Sequence, residues 1–278
     1  MLDREIAFCR EKVGQEGSSL YYALLFQQPA SRAFWLGCFA LAHEIKRASV
    51  SQFEAGLSQV KLGWWRNALV ACRNQAPQHP IILAIGAEVV NALSDEQWAE
   101  LIQSMVDSTE IGRSASIHDW NEGLRRSVRP WMAVWAAHLK VETAELAELE
   151  AFWIKSVQLT QLLRLAKYVD EGFQPLPVDW LSAHSVTAEQ VKLRTHNSHT
   201  RALFEEAGEF LIREANKHWQ ATPVQYRLAA RPVRALFRMR VAEFKTHKAD
   251  GFQLLCEQKV LNPWRKFSTS WTTHVLRR

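Results

Sequence analysis

Apolar residues recur at helical spacing through almost the whole of this chain, while strand alternation is nearly missing, and this restricts it to folds made by packing helix on helix. The three-and-four pattern runs along 33–41, 53–69, 98–106, 131–139, 152–165 and 203–212. Start signals agree with it. Ser51 with Glu54, Ser94 with Gln97 and Thr187 with Gln190 have capping-box spacing, and Thr222-Pro223 reads as an N-cap followed by Pro in a first helical turn. Asp250-Gly251, a dipeptide of hairpin type, lies between helical stretches. The predicted class is all-α.

The clearest interruption is 170–179, where Gly172, Pro175 and Pro177 break a helix that runs from about Ala144. Both flanks keep the same Leu- and Ala-rich helical composition, so this reads as a long inter-helix loop within one domain spanning 1–278. With 47% apolar residues, only 11 Gly and 9 Pro in 278, and no biased tract, the chain is neither disordered nor fibrous. Its longest apolar run, Ile81 to Ala87, is far short of the roughly 20 residues a membrane span needs. The opening Met1-Leu-Asp-Arg-Glu lacks the basic-then-apolar order of a signal peptide. Cys9, Cys38, Cys72 and Cys256 are scattered, with no C-x-x-C, as expected of reduced thiols. The expected location is cytoplasmic, with peripheral contact at the inner face of a membrane open to it.

The net charge of +5 conceals an asymmetry. Residues 224–278 carry twelve Lys/Arg against three acids, a net +9, which leaves the remainder at −4. Arg227, Arg231, Arg234 and Arg238 follow at i, i+4, i+7 and i+11, the spacing of one helix face, although Pro232 interrupts it. Such a face over 227–240 suits an anionic surface, whether an acidic membrane, nucleic acid or an acidic partner. The plainer reading is a solvated basic face.

Generic catalytic motifs are missing. His43-Glu44-Ile45-Lys46-Arg47 ends in Arg where a zinc-protease motif needs His. His196 and His199 have the spacing of one helix face but no nearby Cys, which points to surface histidines. Glu96/Glu100, Glu205/Glu209 and Glu145/Glu148 lie in charged stretches and read as solvated pairs. Twelve Trp are more telling: they suit either core packing or the lining of an apolar cavity between helices.

At Lys61-Leu-Gly-Trp-Trp-Arg66 the chain resembles the squalene/phytoene synthase family, whose members carry a Leu-x-Trp-Trp-Arg-like stretch. Ser19-Leu-Tyr21, with Pro29 and Arg32, resembles the family's opening segment. His79-Pro80-Ile81 and the helix from Trp98 to Asp107 resemble its central region. Leu162-Leu-Arg164, then Leu176-Pro-Val-Asp-Trp-Leu181 and Ser185-Val-Thr-Ala-Glu189, resemble its Leu-Arg-Asp…Leu-Pro-x-Asp-x-Leu…Gly-Val-Thr-x-Glu stretch. The resemblance implies an isoprenoid-synthase helical bundle around a central cavity. It also implies, for active members, two facing Asp-rich motifs that hold Mg²⁺ against a departing diphosphate as two prenyl diphosphates condense head to head.

Both motifs depart from the pattern. The first position reads Ala42-His-Glu-Ile-Lys-Arg-Ala48, with Glu44 its only carboxylate and Lys46 and Arg47 added. The second reads Leu165-Ala-Lys-Tyr-Val-Asp-Glu171, with Leu165 where the Asp after Arg164 is expected. In lacking complete Asp-rich motifs the chain is similar to the branch of the family represented by the mitochondrial assembly factor of respiratory complex I. The expectation is a non-catalytic relative without a cofactor, binding an isoprenoid or lipid ligand or a protein partner. Tyr21, Arg32, Glu44, Lys46, Arg47, Lys61, Arg66, Gln161, Arg164 and Lys167 are the ligand-binding candidates that follow from the resemblance, while Trp64 and Trp65 are expected to pack. The alternative is an active Mg²⁺-dependent prenyltransferase whose displaced ligands are Glu44, Asp107, Asp170 and Glu171. In a variant of the binding reading, Lys46, Arg47, Arg164 and Lys167 hold a phosphate without metal.

Overall fold

The computed structural model describes residues 2–49, 55–72, 78–108, 114–256 and 258–275. Among these, every regular element is helical, and the chain forms two compact units. The first comprises Met1–Glu110 with Arg126–Leu146, the second Ile111–Arg125 with Ala147–Arg278.

In the first unit, α1 (Leu2–Val13), α2 (Ser19–Leu24), α3 (Pro29–Ser49), α4 (Ala55–Ala71), α5 (Pro80–Ile85), α6 (Ala87–Ala92) and α7 (Asp95–Asp107) follow in order. The longest of them, α3, buries Phe34, Trp35, Cys38, Leu41 and Ile45 and packs against α1, α4, α5 and α7. Gly37 sets the α3–α5 approach: a Cβ there would stand 2.9 Å from both Cγ1 and the backbone N of Ile85. The C-terminal half of α8 (Ile117–Leu139) completes this unit with Trp135 edge-on to Trp35 at 4.7 Å and His138 stacked on Phe34 at 3.7 Å. Burial lowers the His138 pKa, so this imidazole packs as a neutral ring.

The second unit contains the first turns of α8, then α9 (Ala147–Leu163), α10 (Leu165–Asp170), α11 (Val178–Ala183) and α12 (Ala188–Lys192). It continues through α13 (Ser198–Ala221), α14 (Val224–Ala229), α15 (Arg231–Ala249) and α16 (Pro263–Val275). Helices α9 and α13 pack along each other, and α15 lies against α9 and α16. Phe152 is the hub: its ring meets Trp219 at 4.9 Å and Phe237 at 5.2 Å. The 170–179 segment lies wholly within this unit, so it is an inter-helix loop and not a boundary between the two.

Local signals carry over well. Capping boxes form at Ser94/Gln97 and Thr187/Gln190, whereas Ser51 and Glu54 lie outside the described residues. Thr222 corrects its reading: it ends α13, donating its hydroxyl to the His218 carbonyl at 2.9 Å. Pro223 stands at the N-cap position of the next helix, which has no side-chain cap. His196 precedes the N-cap Asn197 of α13, so it does not share a helix face with His199; both are exposed. The four cysteines are free thiols.

The basic row also changes. The chain turns at Ala230, leaving Arg227 on α14, and Pro232 begins a new helix where it was expected to interrupt one. Arg234 is not on a solvated face: its guanidinium lies 5.1 Å from the Trp219 ring centroid and 5.2 Å from that of Phe237, and donates to Asn216 Oδ1 at 2.9 Å. Arg238 donates to Thr273 Oγ1 at 2.9 Å. The expected single face of four arginines is therefore absent. The acidic pair Glu205/Glu209 is likewise engaged, gripping Lys248 Nζ at 2.7 and 2.5 Å.

Candidate functional site

The first motif position falls on the last turns of α3. Glu44 is partly buried, and its Oε1 lies 3.3 Å from Lys12 Nζ on α1 and 3.8 Å from a terminal nitrogen of Arg47. Lys12 also stands 5.4 Å over the Phe8 ring. Next to this charge pair, His79 is edge-on to Phe8 at 5.6 Å, Trp64 at 5.4 Å and Trp65 at 4.9 Å. Its Nδ1 accepts from the Ile81 amide at 3.3 Å, capping α5. Burial lowers the His79 pKa, with Glu44 opposing that shift and Lys12 adding to it, so the ring favours its neutral form. Trp65 packs as expected, while Trp64 remains 49% exposed.

The other first-unit candidates are placed less centrally. Lys46 and Arg47 are exposed at the end of α3, as are Lys61 and Arg66 on α4. Tyr21 is half-buried on α2, edge-on to Tyr22 at 5.2 Å. Arg32 is committed to the backbone: its Nε donates to Leu24 O at 3.2 Å, and one terminal nitrogen donates to Leu25 O at 2.9 Å and Gln27 O at 3.1 Å. It thereby satisfies carbonyls that the end of α2 leaves open. Asp107, the last residue of α7, accepts from Gln103 Nε2 at 2.7 Å and is exposed.

In the second unit, Arg164 occupies the break between α9 and α10. Burial, then the neighbouring charge of Arg240, lowers its pKa, while Glu243 and Tyr168 oppose the shift. Its Nε is shielded from solvent without a hydrogen bond. Arg240 binds Glu243 at 2.5 Å, so this pocket of charge holds two guanidiniums for one carboxylate. Gln161 is buried and accepts from Trp120 Nε1 at 2.8 Å. Lys167 pairs with Glu171 at 3.6 Å on the surface, and Asp170 pairs with Arg194. Directly after Arg164, Leu165 is fully buried.

Sequence reading missed a polar cluster beside these residues. Lys155 is buried on α9, donating to Asn121 Oδ1 at 2.8 Å and Gln158 Oε1 at 3.2 Å. Burial pushes its pKa down to about 8, with Glu214 opposing and Arg125 adding to the shift. No spacing rule joins Asn121 to Lys155, or Lys12 to Glu44, because each pair is made by tertiary packing.

Residues 13–264 match the squalene/phytoene synthase family, nearly the whole chain. This chain belongs to that family. Squalene synthase HpnC from Alicyclobacillus acidocaldarius has a TM-score of 0.69 to it, covering 90% of this chain and 95% of its own at 15% identity. A dehydrosqualene synthase in complex with ligand has a TM-score of 0.73, covering 98% and 96% at 11% identity. The shared architecture is the isoprenoid-synthase fold. No curated protein sequence matches the chain.

Magnesium on a diphosphate takes at least one or two protein carboxylates, with phosphate and water oxygens filling its octahedron. Among the described residues, no group of three His, Cys, Asp or Glu side chains is placed to hold a metal. Glu44 is ion-paired to bases, and Leu165 offers no oxygen. The donor set at the two motif positions does not fit Mg²⁺.

Proposed function

We propose that this family member does not catalyse prenyl transfer and instead holds a prenyl or other lipid chain with an anionic head group. The observation that carries the reading is Leu165, fully buried at the position where the family resemblance expects a metal-binding Asp. A divalent ion on a leaving diphosphate contributes several kcal/mol to the transition state, and each ~1.4 kcal/mol is tenfold in rate, so its loss removes many orders of magnitude. The charge around both motif positions supports an anionic ligand: Lys12, Lys46 and Arg47 outnumber Glu44, and Arg164 and Arg240 outnumber Glu243. Bases so placed can hold a phosphate or carboxylate directly.

The test is incubation with farnesyl or geranylgeranyl diphosphate and Mg²⁺, with pyrophosphate release and calorimetric binding both followed. The expected result is no pyrophosphate, with diphosphate binding unchanged by a chelator. Mg²⁺-dependent pyrophosphate release, lost on Asp170→Ala, would establish the active alternative. No binding of either diphosphate would end the lipid part of the reading.

A further inference from the structure

Helix α16 is amphipathic in the reverse sense. A surface helix ordinarily turns its apolar stripe to the core and its polar residues to water. Here the three buried side chains are Lys266, Ser270 and Thr273, all polar. Thr273 is held in place by Arg238, which donates to its Oγ1 at 2.9 Å, while the Thr273 hydroxyl donates to the Thr269 carbonyl at 2.7 Å. Trp264 is 79% exposed, Trp271 46% and Val275 52%. At about 100° per residue these three fall within an arc of about 40°, opposite the buried trio. Val260, just before the helix, is also exposed.

The exposed charge on α16 is basic. Its residues Pro263–Val275 include no Asp or Glu, and of its Lys266 and Arg265 the first is buried and the second exposed. Arg265 is exposed beside Trp264, and its side chain is steadied by Thr246 Oγ1 at 3.3 Å. Two indoles and an isopropyl group form a stripe about 16 Å long, three residues where a stable protein interface uses roughly 20–30 on each side. The same stripe suits a lipid surface, where indole rings sit at the head-group level and neighbouring bases meet anionic lipids. No helix among the described residues is long and apolar enough to cross a membrane.

We propose that α16 lies in the plane of an anionic membrane surface, with Trp264, Trp271 and Val275 entering the head-group region and Arg265 contacting lipid phosphates. This contact differs from the 227–240 row suggested by sequence, and it does not depend on whether the protein holds a lipid among its helices.

The experiment is sedimentation of the full chain with vesicles of phosphatidylcholine alone and of phosphatidylcholine with phosphatidylglycerol at roughly 2:1. Binding is expected to the mixed vesicles and to be at least about tenfold weaker to the neutral ones. Trp264→Ser with Trp271→Ser should weaken it about tenfold or more without shifting the melting temperature, and Trp264→Ser alone should give a partial loss. Equal binding by wild type and double variant would overturn the proposal, as would no binding by either. So would a dimer in sedimentation velocity that the double variant dissolves, because that assigns the face to a second copy of this chain.

Discussion

The Glu44 carboxylate lies 3.3 Å from the Lys12 ammonium, tying the end of α3 to α1 at the position where active relatives are expected to place metal ligands. Both groups are partly exposed, so the pair acts in a screened setting worth about 1 kcal/mol or less. Lys12→Met is expected to lower the unfolding free energy in urea by that amount, and Glu44→Gln in the same background should add little more. A double-mutant cycle measures the coupling. Full additivity of the two changes would show that the ion pair contributes nothing.

Arg32 distinguishes a structural from a ligand-binding arginine. Its three bonds to the carbonyls of Leu24, Leu25 and Gln27 come from a charged donor. Arg32→Ala should therefore cost about 2 kcal/mol in equilibrium unfolding. Arg32→Lys should recover little, since a single ammonium cannot reproduce the guanidinium fork. Wild-type stability in Arg32→Ala would return this residue to the ligand-binding set.

Gly208 on α13 is covered by the Phe244 ring: a Cβ there would lie 2.0 Å from Phe244 Cε2. Phe244 is itself buried against Phe252 at 5.2 Å, which limits its retreat. Gly208→Ala should destabilise by about 1–3 kcal/mol through overpacking. Adding Phe244→Leu should relieve part of the clash, so the double variant is expected to lose less than the sum of the singles. Thermal unfolding of the four proteins tests this.

The Lys155 amine gives a pH dependence with a definite sign. Its pKa falls from 10.5 unfolded to about 8 folded, so between these values the unfolded chain binds the extra proton and stability rises with pH. The gain is bounded by about 3 kcal/mol. Cys9 acts oppositely: burial raises its thiol pKa from 9.0 to about 12, so stability falls as pH rises above 9. The Lys155 contribution is therefore read as a difference. Relative to Lys155→Met, the wild-type urea midpoint should climb from pH 8 to pH 10.5, and parallel profiles would contradict the buried amine.

Fold class was legible because it rests on local repetition. The 3.6-residue pattern and the Ser94 and Thr187 capping boxes are decided within a turn or two of the chain. The errors share one cause. Arg227 to Arg238 keep helical spacing across Ala230, and spacing alone does not reveal the turn there or the three rings that take in Arg234. Site residues were legible only through family motifs, which marked Glu44, Gln161 and Arg164 but not the partners that fix their chemistry. Lys12, Trp120 and Arg240 come from other helices, where no sequence interval announces them. Arg32 is the exception within reach of local reading, since a base shortly after a helix end is a common carbonyl partner.

Leu165 tests whether the second motif position has become core. In an open metal site an Asp there would stand in water or against a cation, and its introduction would cost little. Leu165 instead has no exposed surface. Leu165→Asp must then bury a carboxylate and remove a packed side chain, the lost packing alone costing about 2–5 kcal/mol. Reduced soluble yield and a lower melting temperature are expected, with no gain in pyrophosphate release from prenyl diphosphates. Leu165→Asn, which removes the charge but keeps the polarity and shape, should be milder while still destabilising. If Leu165→Asp melts with the wild type, the position faces solvent and the case against catalysis loses its main support.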